Sequence, residues 1–588
     1  MITERLPSSR PSPPGFDQTY LGNDLEVYAI SAQRRPSRKL VLALVAVLFA
    51  ALLATIVAIR PFNNTPDIRS DGVGYHAWAH AIAHGDVTFC KYGQMLRYVG
   101  AISEQSDDGL RCRNKYPPGV GLLQLAFSWP FLAAHPDETG YSVGENRVVL
   151  WGGSVLLFVS CVLLCATVLR RGASATVSLV AVAAMVFGTG LFHYATYDAS
   201  FSHIYSAFGL SVLLWLVYGR PGISNGRIVA FALVAAWLYS VRQTNAAVSL
   251  AVVYVYLRET PGPLRWRVLY AWLSGTGFAA AVLLIYGKYV SGHSSLSSYG
   301  SEGFPSFGAH FLDVLVSYER GLISYYPAFG VAVILALFYI RKPVHHAFVG
   351  LVCIFALLYG SWHAWSLGAG FGHRGFVELA PFGVIVLADA LRSMSAVARK
   401  GCFAILIICC MATTFAMSAY WRGELPFEGA TAGQYWRSVV PTSLFHHRKM
   451  EYTKTDIQQV RLGFDSAERL ADGQWEVRIS IKNGNRKTPI LGKGSGLPPL
   501  RASWRVVSAR ADVHQGWDPR LEIPELEPGQ GAVIVARVPG PAEPGSDQHL
   551  QFSLVQEGVF WAHDIGVAPL DIPWSTDRLS SFQELKQP

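Results

Sequence analysis

Residues 147–171 read RVVLWGGSVLLFVSCVLLCATVLRR. Between Arg147 and the Arg170-Arg171 pair there is no charged side chain. A helix needs roughly 20 mostly apolar residues to cross a bilayer, and 147–169 meets that length. Similar runs lie near 40–59, 174–193, 203–218, 228–240, 244–257, 268–290, 323–340, 344–360, 376–392 and 402–420. Together they predict a polytopic α-helical membrane protein with about eleven transmembrane helices. The two runs flanking Arg242 are short enough to be half-depth or tilted segments. The first run begins about 40 residues into the chain, and no small-residue cleavage site follows it, so it reads as a span and not a signal peptide.

Composition agrees. Of 588 residues 51% are hydrophobic and only 15% charged, against about 25% charged in soluble domains. With 31 Phe and 16 Trp, disorder is excluded for most of the chain, and eight Cys are too few for a disulfide scaffold. The formal net charge of +9 is not a nucleic-acid signal, because the basic residues flank apolar runs and do not form one basic face. Arg34, Arg35, Arg38 and Lys39 precede the first run. Arg170 and Arg171, Arg220 and Arg227, Arg258, Arg265 and Arg267, Arg341 and Lys342, and Arg392, Arg399 and Lys400 occupy every second loop. The positive-inside rule then places the N-terminus in the cytoplasm, and the 61–146 loop and everything after about 420 outside. Residues 1–38 are Pro- and Ser-rich and read as disordered.

The tail changes character. Segments 475–482, 501–508, 531–538 and 549–556 are short, β-rich and partly alternating, with Pro/Gly-rich turns such as 538–545 between them. That pattern predicts an all-β sandwich within 421–588. Cys90 and Cys112 share the first outside loop, whereas the other cysteines fall in apolar runs. A Cys90–Cys112 disulfide suits an oxidising compartment, but sequence does not supply the Cα separation it needs.

Polar residues gather at the outside ends of the runs. Asp71 lies in Asp67-Ile-Arg-Ser-Asp-Gly-Val-Gly-Tyr75, where a carboxylate near the membrane surface can take a proton from a hydroxyl; Asp-Gly is equally a common turn. Lys115-Tyr-Pro-Pro-Gly-Val-Gly121 presents a lysine and a tyrosine ahead of an apolar, re-entrant-type segment, 120–134. Lys115 there suits a lipid-linked phosphate or an interfacial snorkelling role. Asp198 and His203 join the third and fourth runs. In Trp362–Leu379 the glycines allow close backbone approach, and Arg374 offers a planar fork for phosphate. Glu378, four residues on, is its natural local helix partner. Arg242 is a cation between apolar segments, suited either to a structural ion pair or to charge stabilisation. His76, His80 and His84 share a helix face at i, i+4 and i+8. Adjacent pairs can bind a metal, but the outer two stand about 12 Å apart, and the preferred reading is an interfacial helix.

Taken together, Asp-Gly-x-Gly-Tyr (71–75), Lys-Tyr-Pro-Pro-Gly (115–119), Ser-x-Ser-His (200–203), Arg-Gly-Leu-Ile-Ser-Tyr-Tyr-Pro (320–327) and Gly-Phe-Gly-His-Arg-Gly-Phe-Val-Glu-Leu (370–379) resemble the bacterial C-type (GT-C) glycosyltransferases. These are polytopic enzymes related to protein O-mannosyltransferases and the lipid A aminoarabinose transferase. The resemblance covers roughly 39–420. It implies an inner-membrane enzyme that moves a sugar from a polyprenyl-phosphate donor to a periplasmic glycan, lipid or protein, with inversion and without a cofactor. Asp71 matches the first-loop catalytic aspartate, and Lys115 the lysine of the family's Lys-Pro-Pro element, here with Tyr116 interposed. Asp198 is a candidate second acid. Arg242 and Arg374 are candidate donor-phosphate ligands, and Tyr75, Tyr116, His203 and His373 candidate substrate contacts. The acidic clusters of distant metal-using relatives are missing, so metal-independent catalysis is expected. Leu554–Trp561 with Asp564 and Gly566 resembles a β-sandwich module found beside bacterial glycan enzymes, implying a periplasmic accessory domain. The competing classes are a transporter or flippase of a lipid-linked sugar, and a non-catalytic scaffold. The chain has no Walker-type phosphate loop, which argues against an ATP-driven pump.

Overall fold

In the computed structural model the described residues cover most of 43–54, 68–439 and 452–577. Residues 1–42, 55–67, 91–95, 135–142, 440–451, 491–499, 509–516 and 578–588 lie outside them, with some shorter gaps. The 1–38 segment, half of the first apolar run, and Asp564 and Gly566 of the tail motif therefore fall outside the description.

The apolar runs from 147 onward become helices. Among the described residues four helices are long and apolar enough to cross a membrane: Gly144–Arg170, Trp266–Ser291, Pro343–Gly360 and Ala396–Trp421. Shorter apolar helices are Gly119–Ala134, Ala175–Phe187, Ser202–Tyr218, Asn225–Val241 and Pro327–Phe338. Several runs expected to be continuous are broken. The 174–193 run ends as a helix at Phe187, and Leu191–Thr196 starts anew. A short helix, Leu322–Tyr325, precedes Pro327–Phe338, with Pro327 at the helix start, where its missing N–H costs nothing. The 376–392 run begins as a 3-10 turn, Arg374–Leu379, before Ala380–Ser393.

The breaks cluster at the end where the polar loops lie. Packing there is close: Gly188 leaves no room for a Cβ against Ala328 and the Ala184 carbonyl, and Gly119 none against the Ser240–Val241 backbone. One hydrophobic core runs through this helical unit and includes Leu425, Ala430 and Tyr435. The helix Ala432–Val439 therefore stays with it: the Tyr435 ring packs 5.3 Å from that of Tyr325, and its hydroxyl donates to the Ser324 carbonyl. The tail's own unit starts later than position 421.

A second, separate core spans Tyr452 to Trp574. Strands β3 (Val460–Arg469), β4 (Trp475–Asn483) and β7 (Gly531–Val538) form an antiparallel sheet in the order β3-β4-β7. β10 (Leu570–Pro573), β8 (Gln548–Gln556), β5 (Leu500–Ser508) and β6 (Leu521–Glu522) form the other, with β9 (Phe560–Trp561) on β8. All four strands expected from sequence are present to within a residue at each end. β3 was not expected, because its charged residues mask the alternation that buries Val460, Phe464 and Ala467. The first outside loop holds its own small hairpin, β1 (Ile102–Gln105) with β2 (Cys112–Asn114). The Cys90–Cys112 disulfide is formed, with Cα atoms 5.0 Å apart, and anchors that hairpin.

Trp574 is fully buried in the β core, and its indole N–H donates to the Pro539 carbonyl at 3.0 Å. A fragment of residues 450–588 is expected to unfold cooperatively in denaturant. Trp574→Ala should lower its stability by about 3–5 kcal/mol, as large buried aromatic truncations do.

Candidate functional site

Asp71 is the first residue of a helix, Asp71–Ala83, and not the second corner of an Asp-Gly turn. Gly72, which suggested a turn, serves packing instead, as does Gly74. A Cβ on Gly72 would lie 2.1 Å from the Ser200 hydroxyl oxygen, and one on Gly74 2.2 Å from the Tyr116 ring. Without side chains there, the start of the helix presses directly onto the Ser200 loop and the Lys-Tyr-Pro-Pro segment. The carboxylate also sits where the helix dipole favours negative charge.

That pressure brings three distant segments to one carboxylate. The Tyr116 hydroxyl donates to Asp71 Oδ1 at 2.9 Å, and Arg374 Nη2 lies 2.8 Å from Oδ2. Arg374 was expected to compete for Glu378 along its own helix. It reaches Asp71 instead, because Arg374–Leu379 is a 3-10 turn, in which i and i+4 do not share a face as they do in an α-helix. Glu378 faces Arg242, with Oε1 3.3 Å from Nη1, and His203, with Oε2 3.1 Å from Nδ1. Burial opposes ionisation of Asp71, but the Arg374 guanidinium and the Tyr116 hydroxyl more than offset it and hold the carboxyl below the usual carboxylate range. Burial and the neighbouring Asp71 charge push Tyr116 well above the usual phenol range, so it remains a donor.

The group opens onto a cavity of about 570 Å3 lined by Asp71, Tyr75, Lys115, Tyr116, His203, Arg242 and Arg374. This volume is in the range of small-molecule sites. Seven of the nine catalytic and binding residues expected from sequence therefore line one cavity, although they come from five separate stretches of chain. Each cation there has an acidic neighbour: Arg374 has Asp71, Arg242 has Glu378, and Lys115 Nζ lies 2.8 Å from Glu302 Oε1. The lining also includes Tyr299, Glu302, Phe304, Tyr359, Trp362 and His363. Tyr299, Glu302, Phe304 and Tyr359 were not singled out from sequence. They lie in a polar loop without a recognisable motif and at the end of an apolar helix, where nothing local signals a cavity.

Two expected residues lie elsewhere. Asp198 does not line this cavity. Arg69 Nε donates to its Oδ1 at 3.0 Å, and His193 Nε2 lies 2.9 Å from its Oδ2. Trp421 Nε1 donates to His193 Nδ1 at 2.9 Å, which fixes the tautomer that donates from Nε2. Burial opposes the Asp198 charge, and the Arg69 guanidinium keeps its pKa low all the same. The Arg69 carbonyl accepts from Gly72 N–H at 2.9 Å, so Asp198 is linked through Arg69 to the start of the Asp71 helix. His373 is buried behind the cavity, with Nε2 3.0 Å from the Trp365 carbonyl oxygen. Burial lowers its pKa to about 3, leaving it neutral. The loop that holds it is pinned by tyrosines. The Tyr326 hydroxyl donates to the Phe371 carbonyl at 2.5 Å, and Phe371 N–H donates to the Tyr194 hydroxyl at 3.0 Å. Gly372 has φ +60 and faces the Tyr326 ring, so both conformation and space call for glycine.

No protein-family model and no curated protein matches the chain. Among solved structures it is similar to ArnT from Cupriavidus metallidurans in the apo state. The identity is 14% and the TM-score 0.40, over 64% of this chain and 67% of that one. It is also similar to the apo oligosaccharyltransferase of Archaeoglobus fulgidus, at 11% identity and TM-score 0.37, over 70% of this chain and 59% of that one. Both neighbours are C-type membrane glycosyltransferases, the class that the sequence motifs resemble. At this level of similarity a functional reading rests on the chemistry of the cavity itself.

The ion pair has a definite pH consequence. A carboxyl with a folded pKa below its unfolded value contributes stability that is present above the unfolded pKa and lost as pH falls through the folded one. Removing Arg374 takes away the main cation and raises the Asp71 pKa. For any activity that needs ionised Asp71, Arg374→Gln should move the acid limb of the pH–rate profile to higher pH, and Tyr116→Phe should move it the same way by less. An unchanged acid limb in both variants would separate Asp71 from the reaction.

Proposed function

We propose that the chain is a membrane glycosyltransferase that moves a sugar from a polyprenyl-phosphate donor to a hydroxyl of an acceptor on the outer face of a bacterial inner membrane. The observation that carries this reading is the Tyr116–Asp71–Arg374 group, set in the wall of a cavity that also holds Lys115 and Arg242. A base beside several cations is what an inverting transfer from a phosphate-linked sugar needs.

The acceptor hydroxyl attacks the anomeric carbon and gives its proton to Asp71. The bond from that carbon to the phosphate oxygen breaks, and its electron pair stays on the departing lipid phosphate. Negative charge grows on the phosphate, and cations already in place lower the barrier without reorganisation. Arg374 has a double part. While paired with Asp71 it keeps the base ionised, and as charge develops on the leaving group it is drawn toward the phosphate. Asp71 then gains basicity as the proton reaches it. Lys115 and Arg242 share the phosphate, and Tyr299, Trp362 and His363 of the same lining offer ring faces and hydrogen-bonding groups to the sugar. The β-sandwich unit is read as an accessory domain for the acceptor.

The purified protein given polyprenyl-phosphate sugars and candidate acceptors should release polyprenyl phosphate. Asp71→Asn should lower kcat by about 10²–10⁴-fold, the usual contribution of a positioned base, with donor binding largely kept. Lys115→Ala should weaken donor binding instead. Full turnover by Asp71→Asn overturns the assigned base. Movement of lipid-linked sugar across vesicles without a new glycosidic bond favours a flippase.

A further inference from the structure

The Asp71–Ala83 helix carries a second cluster, on a face turned away from the cavity. His76 and His80 are separated by one helical turn, with ring centroids 5.3 Å apart. Glu145, at the start of the Val143–Arg170 helix, meets both: its Oε1 lies 2.9 Å from His76 Nε2 and 2.5 Å from His80 Nε2. The three side chains are 0–3% exposed. Their donor atoms all lie within 4.8 Å of one another.

The histidine spacing alone is no more than an interfacial pattern. Glu145 makes the difference, because it supplies a third donor from another helix to the point where the two rings converge. A neighbouring group also orients the first ring. His76 Nδ1 stands 2.9 Å from Gln124 Oε1 on the Gly119–Ala134 helix. An amide oxygen accepts, so Nδ1 carries the hydrogen, and in the neutral ring the lone pair is then on Nε2, aimed at Glu145. This orientation by an outer hydrogen bond is characteristic of metal-bound histidine. A divalent ion at the centre would accept the Nε2 lone pairs of two neutral rings together with a Glu145 carboxylate oxygen.

We propose that His76, His80 and Glu145 form a structural divalent-metal site, with zinc the ion that suits two imidazole nitrogens and one carboxylate. In a tetrahedral site with ligand bonds of about 2.0–2.1 Å, donor atoms stand about 3.3 Å apart. The cluster needs only to open by about half an ångström to one ångström. The ion would tie the Asp71 helix to the helix that begins at Val143, holding the start of the catalytic wall in place. It would take no part in transfer, and the proposal stands whether or not Asp71 is a base.

Full-length protein from zinc-supplemented cells, purified in detergent and exchanged into chelator-treated buffer, should hold about one zinc per chain by elemental analysis. Protein from cobalt-supplemented cells should show the visible absorption of four-coordinate Co2+. His80→Gln and, separately, His76→Gln should lose the bound metal while at least one remains monodisperse. Stripping the wild type of zinc should lower its Tm. Monodisperse wild type with no bound zinc or cobalt after supplemented growth overturns the site and leaves a metal-free histidine–carboxylate cluster. Equal metal content in the His76→Gln/His80→Gln double variant overturns it as well, by showing the metal is adventitious.

Discussion

The close seating of one short helix on two loops governs the candidate site. Gly72 and Gly74 let the Asp71–Ala83 helix approach Ser200 and Tyr116 at distances no side chain would permit. The same approach brings the Tyr116 hydroxyl and the Arg374 guanidinium onto a single carboxylate. Any shift of that helix would separate the Asp71 carboxylate from its donors and open an unpaired buried charge, which is costly in a low-dielectric setting. The site therefore depends on packing that glycine alone allows.

The helix is held from several sides. Its N-terminal approach is tied down through Arg69, Asp198, His193 and Trp421 in series. Its middle is packed on the Gly119–Ala134 helix, where Gly121 has no space for a Cβ against Trp78 and the Tyr75 carbonyl. Its far face meets Glu145 through His76 and His80. Buried polar groups that are fully partnered specify one arrangement more sharply than apolar contacts do. This explains why a short helix with little amphipathic character carries so many histidines and glycines.

Around the cavity, charge is balanced by pairs drawn from different loops. Lys115 with Glu302, Arg242 with Glu378 and Arg374 with Asp71 keep three cations in a confined space without an uncompensated charge. An anionic ligand entering there exchanges one set of partners for another and does not have to fill a bare positive pocket. The same lining carries the aromatic side chains Tyr299, Phe304, Tyr359 and Trp362.

Sequence alone was enough to expect the helical unit, because apolar runs of bilayer length report their burial directly. It was also enough for four strands of the tail, where alternation is clean, and for the identity of Asp71, Lys115, Arg242 and Arg374 as polar residues at the ends of apolar runs. It could not say which carboxylate each cation would choose. Arg374 and Glu378 are neighbours by helical spacing, yet a 3-10 turn sends them to different partners. Asp198 read as a second catalytic acid, but its partners Arg69 and His193 place it off the cavity. His76 and His80 were visible as a pair, while Glu145, 65 residues beyond His80, was not. Local sequence determines which groups are polar and roughly how deep they lie. Pairing across tens to hundreds of residues depends on helix packing and close glycine contacts, and only the tertiary structure decides it.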